Sequence, residues 1–321
     1  MLTFVLRRAA SAVLVLFAIS VLVFVIFFAT PGVDPAARVA GRNADQATLA
    51  QVRQSFGLDR PMPIRYALMM RHLFVDRDLE SFVNRGTRVI PQILDAAPVT
   101  LSLVLGAAVI WIVLGVGMGT LAARLRGTAI DPVITLLGLV GVSLPVYWLG
   151  EVVNLVTQSR WHDGIFRWVP PLGYVPLTEN PGQWALHLLF PWLTLAVLFA
   201  GIYTRLLRSE LVANLNEDYV RTARAKGISE RRVLIRHALR CSLIPVVSLF
   251  GLDFGALVGG AALLTEVVFG LPGIGRLTYV SLQNLDLPVI MGTVIYASFF
   301  VVLANALVDV VYARLDPRVR Q

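Results

Sequence analysis

Glu217-Asp-Tyr-Val-Arg-Thr-Ala-Arg-Ala-Lys-Gly227-Ile-Ser-Glu-Arg-Arg-Val-Leu-Ile-Arg-His-Ala-Leu-Arg240 is a polar island in an apolar chain. It holds seven arginines and lysines and three acids, too many charges to sit in hydrocarbon. Asn216 or Asp218 can cap a short helix. Acids at its start and Arg224 and Lys226 at its end oppose the helix dipole, and Gly227 supplies a left-handed stop. Ser229 can cap a second helix running towards Pro245. The expectation is a helix, glycine, helix module lying on a membrane face, with Tyr219, Val220 and Ala223 as a small apolar patch open to a partner.

On either side of this island the chain turns apolar over 185–207 and 243–265, and equally long stretches occur at about 9–30, 97–122, 131–157 and 289–312. About 20 apolar residues cross a bilayer as a helix. Six spans follow, and with them an all-α integral membrane protein. Of the 321 residues 57% are hydrophobic and 15% charged, and the mean hydropathy of +0.73 lies outside the soluble range. The formal charge of +8 falls between apolar runs, where anionic lipid headgroups answer it better than nucleic acid. The apolar run after Arg7 and Arg8 is longer than the roughly 7–15 residues of a signal peptide, so 1–30 reads as an uncleaved first span.

With the N-terminus inside, Arg124, Arg126, the basic stretch from Arg205 to Arg240, and Arg314, Arg318 and Arg320 all fall on the cytoplasmic side, as the positive-inside rule asks. Both termini are then cytoplasmic. The outer loop, 31–96, reads as a folded appendage: Asp45 can cap a helix whose Leu49, Val52 and Phe56 share a face, Gly57 ends it, and Pro61 and Pro63 start a new segment. A second outer loop, 158–184, carries Trp161, Trp168 and Tyr174 among prolines, as interfacial segments do. The remainder divides into a five-span core, 97–312, which contains the polar loop 209–242, and a tail, 313–321.

Gly251, Gly255 and Gly259 line one face of the fifth span, and Gly115 and Gly119 one face of the second. Such faces serve either helix packing within the chain or a subunit interface. Asp253 and Asp309 fall inside spans, with Glu151 and Glu266 in or near them; acids there commonly line a pathway or meet a partner. We therefore place Asp253 and the Gly251, Gly255, Gly259 face as candidates for a translocation pathway. Glu266, with the turn Pro272-Gly-Ile-Gly275, is either an outer gate or a loop anchor.

Several chemistries are not supported. The one lysine, Lys226, is outside any phosphate-binding loop motif, the four histidines have no metal-ligand spacing, and no serine sits in Gly-x-Ser-x-Gly. No catalytic residue, resident metal or cofactor is expected. The lone Cys241 precludes an internal disulfide.

The island resembles the cytoplasmic coupling loop of ABC importer permeases. It departs from the general Glu-Ala-Ala pattern but is similar, in Tyr-Val-Arg-Thr-Ala-Arg-Ala-Lys-Gly at 219–227, Arg-His-Ala-Leu-Arg at 236–240 and Ile244-Pro245, to the dipeptide and oligopeptide subfamily in its first-subunit form. Gly57-Leu-Asp-Arg-Pro61 with Tyr66, Ser143-Leu-Pro145 with Trp148-Leu-Gly150, Glu266-Val-Val-Phe269 and Leu315-Asp-Pro-Arg318 extend the resemblance along nearly the whole chain, although Cys241 replaces a more usual asparagine. The resemblance implies a type I importer permease fold in a prokaryotic inner membrane, and ATP-driven peptide uptake by alternating access. It also implies as partners a second permease, two ATP-binding subunits that use ATP and magnesium, and an extracytoplasmic solute-binding protein. Asp218, Tyr219, Val220, Arg221, Thr222, Ala223, Arg224, Ala225, Lys226 and Gly227 would form the ATPase-coupling helix. Glutathione or nickel are alternative cargoes within the family. A proton-coupled secondary transporter is the rival class, but no inverted repeat supports it and it leaves the island unexplained.

Overall fold

The computed structural model describes residues 2–29, 45–55, 59–84, 86–158 and 164–315, which are mostly helical. The extended pairing among them is a single bridge between Glu80 and Arg88. Five helices are long and apolar enough to span, at Ala10–Phe27, Val89–Arg124, Pro181–Asn214, Glu230–Ala261 and Leu287–Val308. A sixth crossing results if the pair Ile130–Ser143 and Val146–Thr157 counts as one span.

We number the helices α1 (Leu2–Ala29), α2 (Gln46–Ser55), α3 (Met62–Arg71), α4 (Val89–Arg124), α5 (Ile130–Ser143), α6 (Val146–Thr157) and α7 (Pro181–Asn214). Then come α8 (Asp218–Ala225), α9 (Leu239–Ala256), α10 (Leu263–Val268), α11 (Ile274–Asn284) and α12 (Leu287–Leu315). At 36 residues α4 is ~54 Å long at 1.5 Å per residue, well beyond a ~30 Å hydrocarbon core. Residues 89–96, expected in the outer loop, are its first turns. Its two ends define the ends of the bundle, a basic end at Arg124 and an opposite end at Val89.

Two expected spans are not continuous. The stretch 131–157 bends by 92° between α5 and α6, because Pro145 has no N–H to continue the ladder and drives Leu144 to extended backbone, ψ 125°. The stretch 243–265 breaks at Gly260, whose φ of 108° is open to glycine and strained for other residues. The chain there passes from a π-turn, Leu257–Ala261, into the separate helix α10.

The core is built on α4 and α7. Trp111, Leu103, Tyr203 and Leu207 are fully buried between them. Gly115 and Gly119 let α7 approach: a Cβ would stand 2.6 Å from Tyr203 Cβ at the first and 2.9 Å from the Thr204 carbonyl at the second. On α5, Gly138 faces Gly201 and Gly141 faces Val197 of α7. The Gly251, Gly255, Gly259 face of α9 is covered by Val308, Ala304 and Ala297 of α12. Of the two readings of that face, packing within the chain is the one the structure displays: small residues let α12 lie against it.

At the opposite end, α2 follows Asp45, whose carbonyl accepts the Leu49 N–H at 3.0 Å. Pro61 and Pro63 open α3. Phe24 of α1, Met69, Phe82, Leu287 and Met291 form a second small core that seats this segment on the bundle. Phe56, Gly57, Trp161, His162 and the tail from 316 lie outside the described residues, as does the Asp309 side chain.

Candidate functional site

The polar island folds as a short helix on a base of its own. Glu217, not Asn216 or Asp218, occupies the capping position of α8, and its side chain makes no capping bond. Gly227 adopts φ 76°, the left-handed stop the sequence required. Val220 and Ala223 turn inward and are buried with Val233 against Leu215 and Ile228. The apolar patch expected to face a partner is therefore corrected. Two of its three members close the loop on itself, because helical spacing puts 220 and 223 on one face. The exposed positions of α8 are Asp218, Tyr219, Arg221, Thr222, Arg224 and Ala225, with Lys226 beyond them.

Polar bonds fix the module. Arg224 reaches Glu230 with two bonds, 2.7 and 3.2 Å, and the Leu215 carbonyl at 3.3 Å. Tyr219 donates to Asn214 Oδ1 at 3.0 Å, and Asn214 in turn donates to Ser242 Oγ at 3.1 Å. Partial burial, with Cys241 nearby, pushes the Tyr219 phenol up to about 12, so it remains a donor at neutral pH. In this way α8 is tied both to the end of α7 and to the start of α9. Just before it, Arg208 of α7 grips the buried Asp131 of α5 at 2.5 and 2.7 Å.

The carboxylates singled out earlier have separate surroundings. Asp253 accepts from the buried Tyr203 hydroxyl at 2.8 Å. Glu266 is fully buried and accepts from Thr100 Oγ1 at 2.6 Å and from the Arg276 N–H at 2.8 Å. Thr100 Oγ1 also accepts from the Ile274 N–H at 2.8 Å. Glu266 and Thr100 thus satisfy the orphan N–H groups at the start of α11, the loop-anchor arrangement. A second buried carboxylate, Asp286, accepts from Ser81 Oγ and, at 3.0 Å, from the Phe82 N–H.

Neither Thr100, the Asp131–Arg208 pair nor the Ser81–Asp286 bond was singled out from the sequence. A lone acid beginning an apolar run, as Asp131 does, was the one available signal. The structure also gathers His72, Asp76 and Asp78 so that one ligand atom of each lies within 4.8 Å of the others. These side chains are 44%, 30% and 47% exposed, and Asp76 is already paired with Arg71 at 3.1 Å. The His72 hydrogen bond holds Asp78 below the usual carboxylate range.

Helices long and apolar enough to cross a bilayer, with a polar helix packed on one end, are the build of a membrane-embedded protein. Residues 115–321 match the family described as binding-protein-dependent transport system inner membrane component, and residues 1–104 match the N-terminal region described for such components. The chain belongs to that family. A Brucella abortus (strain 2308) protein, provisionally named a peptide transport system permease, is 37% identical over 100% of this chain and 99% of its own length. An Escherichia coli (strain K12) protein, provisionally named a D,D-dipeptide transport system permease, is 34% identical over 98% and 96%. The glutathione transport system permease protein of Salmonella choleraesuis is 37% identical over 100% and 99%. Among solved structures, an amino acid ABC transporter covers 70% of this chain and 94% of its own at 14% identity, with a TM-score of 0.47.

Proposed function

We propose that this chain is the non-catalytic membrane permease of an ATP-driven importer of peptides, working beside a second permease, two ATP-binding subunits and an extracytoplasmic binding protein. Its termini and α8 lie in the cytoplasm of a prokaryote and the 31–96 segment lies outside. The observation that carries the reading is α8: a short helix on its own small base, with Asp218, Arg221, Thr222 and Ala225 presented outward. ATP-driven closure of the partner subunits acts on that face, and α7 and α9, tied to the module through Asn214 and Ser242, pass the movement to the spans. The chain then shifts between inward-open and outward-open populations. Magnesium and ATP belong to the partners.

The peptide cargo is supported by the names of the Brucella and Escherichia relatives. Glutathione, itself a small peptide, is the second cargo, supported by the Salmonella relative.

The test is co-purification from native membranes. Arg221→Glu with Ala225→Arg alters two exposed positions four residues apart and leaves the buried base untouched. We expect an ATP-binding subunit to accompany the wild type and to be lost from the variant. Absence of such a subunit from both forms would overturn the reading.

A further inference from the structure

Between the basic end of α4 and the helical module lies a cavity of about 790 Å³. Its wall combines two chemistries. Val116, Leu121, Leu234, Ile235 and Leu239 line it with apolar carbon, and Arg124, Arg126 and Arg231 line it with positive charge. These three arginines have no ion-pair partner among the described residues. Asp131, whose charge Arg126 feels, is already gripped bidentately by Arg208. Arg224 and Glu230 also line the cavity but answer each other's charge. The buried Thr120 hydroxyl in the same wall has no hydrogen-bond partner in the described residues.

The apolar lining continues along α4 as a row of positions one turn apart, with a notch at Gly117. Gly117 lines the cavity, and a Cβ built on it meets nothing within 4 Å. On the same helix Val113 and Leu121, one turn to either side, are 64% and 44% exposed. A notched aliphatic row on α4 leading to a cavity lined by three guanidinium groups without ion-pair partners suits a phospholipid: the acyl chain lies along the row and the phosphate meets the cations.

The geometry points to a specific binding site for one anionic phospholipid, its phosphate on Arg124, Arg126 and Arg231 and one acyl chain along Val113, Gly117 and Leu121. It differs from the diffuse attraction of any basic membrane face, because it is confined to these residues. It does not depend on which subunit α8 meets.

The test uses the complex as purified from its membrane, reconstituted in nanodiscs of phosphatidylcholine with or without phosphatidylglycerol, with bound lipid read by native mass spectrometry. Each arginine near a charged surface contributes roughly fivefold, so Arg124→Gln, Arg126→Gln and Arg231→Gln together should weaken retention of phosphatidylglycerol about a hundredfold. Arg205, Arg236 and Arg240, changed to Gln as a matched set, should leave retention unaltered. Gly117→Phe puts a ring where a Cβ meets nothing within 4 Å; retention should fall while the unfolding midpoint of the complex stays unchanged. Equal loss in the matched set, or unchanged retention in Gly117→Phe, would overturn the site. Displacement of the lipid by inorganic phosphate alone would also overturn it, assigning the arginines to a free anion.

Discussion

The two ends of this molecule are held by opposite means. At the basic end, α8 rests on three small buried side chains and on bonds between groups that water still reaches, such as Arg224 with Glu230, 41% and 70% exposed. At the other end, Glu266 and Asp286 are 0% and 4% exposed, and each takes backbone N–H groups of a neighbouring segment. Exposed pairs contribute little, whereas a buried carboxylate whose donors are removed costs several times more. The difference is one of means: one end is held by a small apolar base and pairs that water reaches, the other by buried carboxylates on backbone donors.

The largest effect should come from Thr100→Val. It removes the hydroxyl that serves Glu266 and the Ile274 N–H together, leaving the Ile274 N–H unpaired and Glu266 one donor short, at about 3 kcal/mol in all. Thermal unfolding of the purified complex would read this as a clear fall in Tm. An unchanged midpoint would break the comparison, because the opposite end would then owe its rigidity to packing alone.

Asp131→Asn comes next. The aspartate is buried and the arginine about a third exposed, so the loss should be about 2 kcal/mol, below that of a fully buried pair. Asp131→Arg combined with Arg208→Asp should recover most of it. Spin labels at Ile130 and Ser209, with Cys241→Ser, should keep a fixed separation when the wild-type complex is trapped with ATP and vanadate. In Asp131→Asn that separation should broaden. This pair sharpens the comparison, since it is a buried lock at the basic end that ties α5 to the helix feeding α8.

Glu230→Gln should be smaller, about 0.5 kcal/mol at most, because the Arg224 latch is solvent-screened. Hydrogen exchange across 218–232 should rise while the global Tm stays put. A fall in Tm comparable to that of Thr100→Val would mean the module is no more local than the buried end.

What the sequence made legible follows the same division. The module at 217–240 is local: its helix, its Gly227 stop and its exposed charges are within one another's reach, so composition and the glycine declared them, although neither Asn216 nor Asp218 caps the helix and Ser229 makes no capping bond. The inward turn of Val220 and Ala223 was missed because their cover, Val233 and Leu215, comes from outside the helix. Thr100 and Glu266 are 166 residues apart and Ser81 and Asp286 205, and no periodicity joins such positions. The bend at Pro145 and the break at Gly260 were hidden for another reason: hydropathy reports how long an apolar stretch is and not whether its backbone runs straight. The glycine face of α9 was legible as a close approach, but only the fold could name α12 as what approaches.

The smallest effect lies where the opposite end itself reaches water. His72 Nδ1 lies 2.8 Å from Asp78, and that bond holds the Asp78 carboxyl below its ordinary 3.8. A depressed carboxylate adds stability that is fully present above the ordinary value and fades as pH falls through the lower one. His72→Ala should therefore remove a small local contribution that is present at neutral pH and shift the onset of acid opening across 72–88 upward, towards 3.8, as read by hydrogen exchange. The opening should stay local. Ser81 and Phe82, held on the buried Asp286, should keep their protection through the window in which 72–78 loses its own. If both open at the same pH, the segment hangs on its exposed pair and not on the buried carboxylate, and the two ends of the molecule would differ in their partners but not in how they are held.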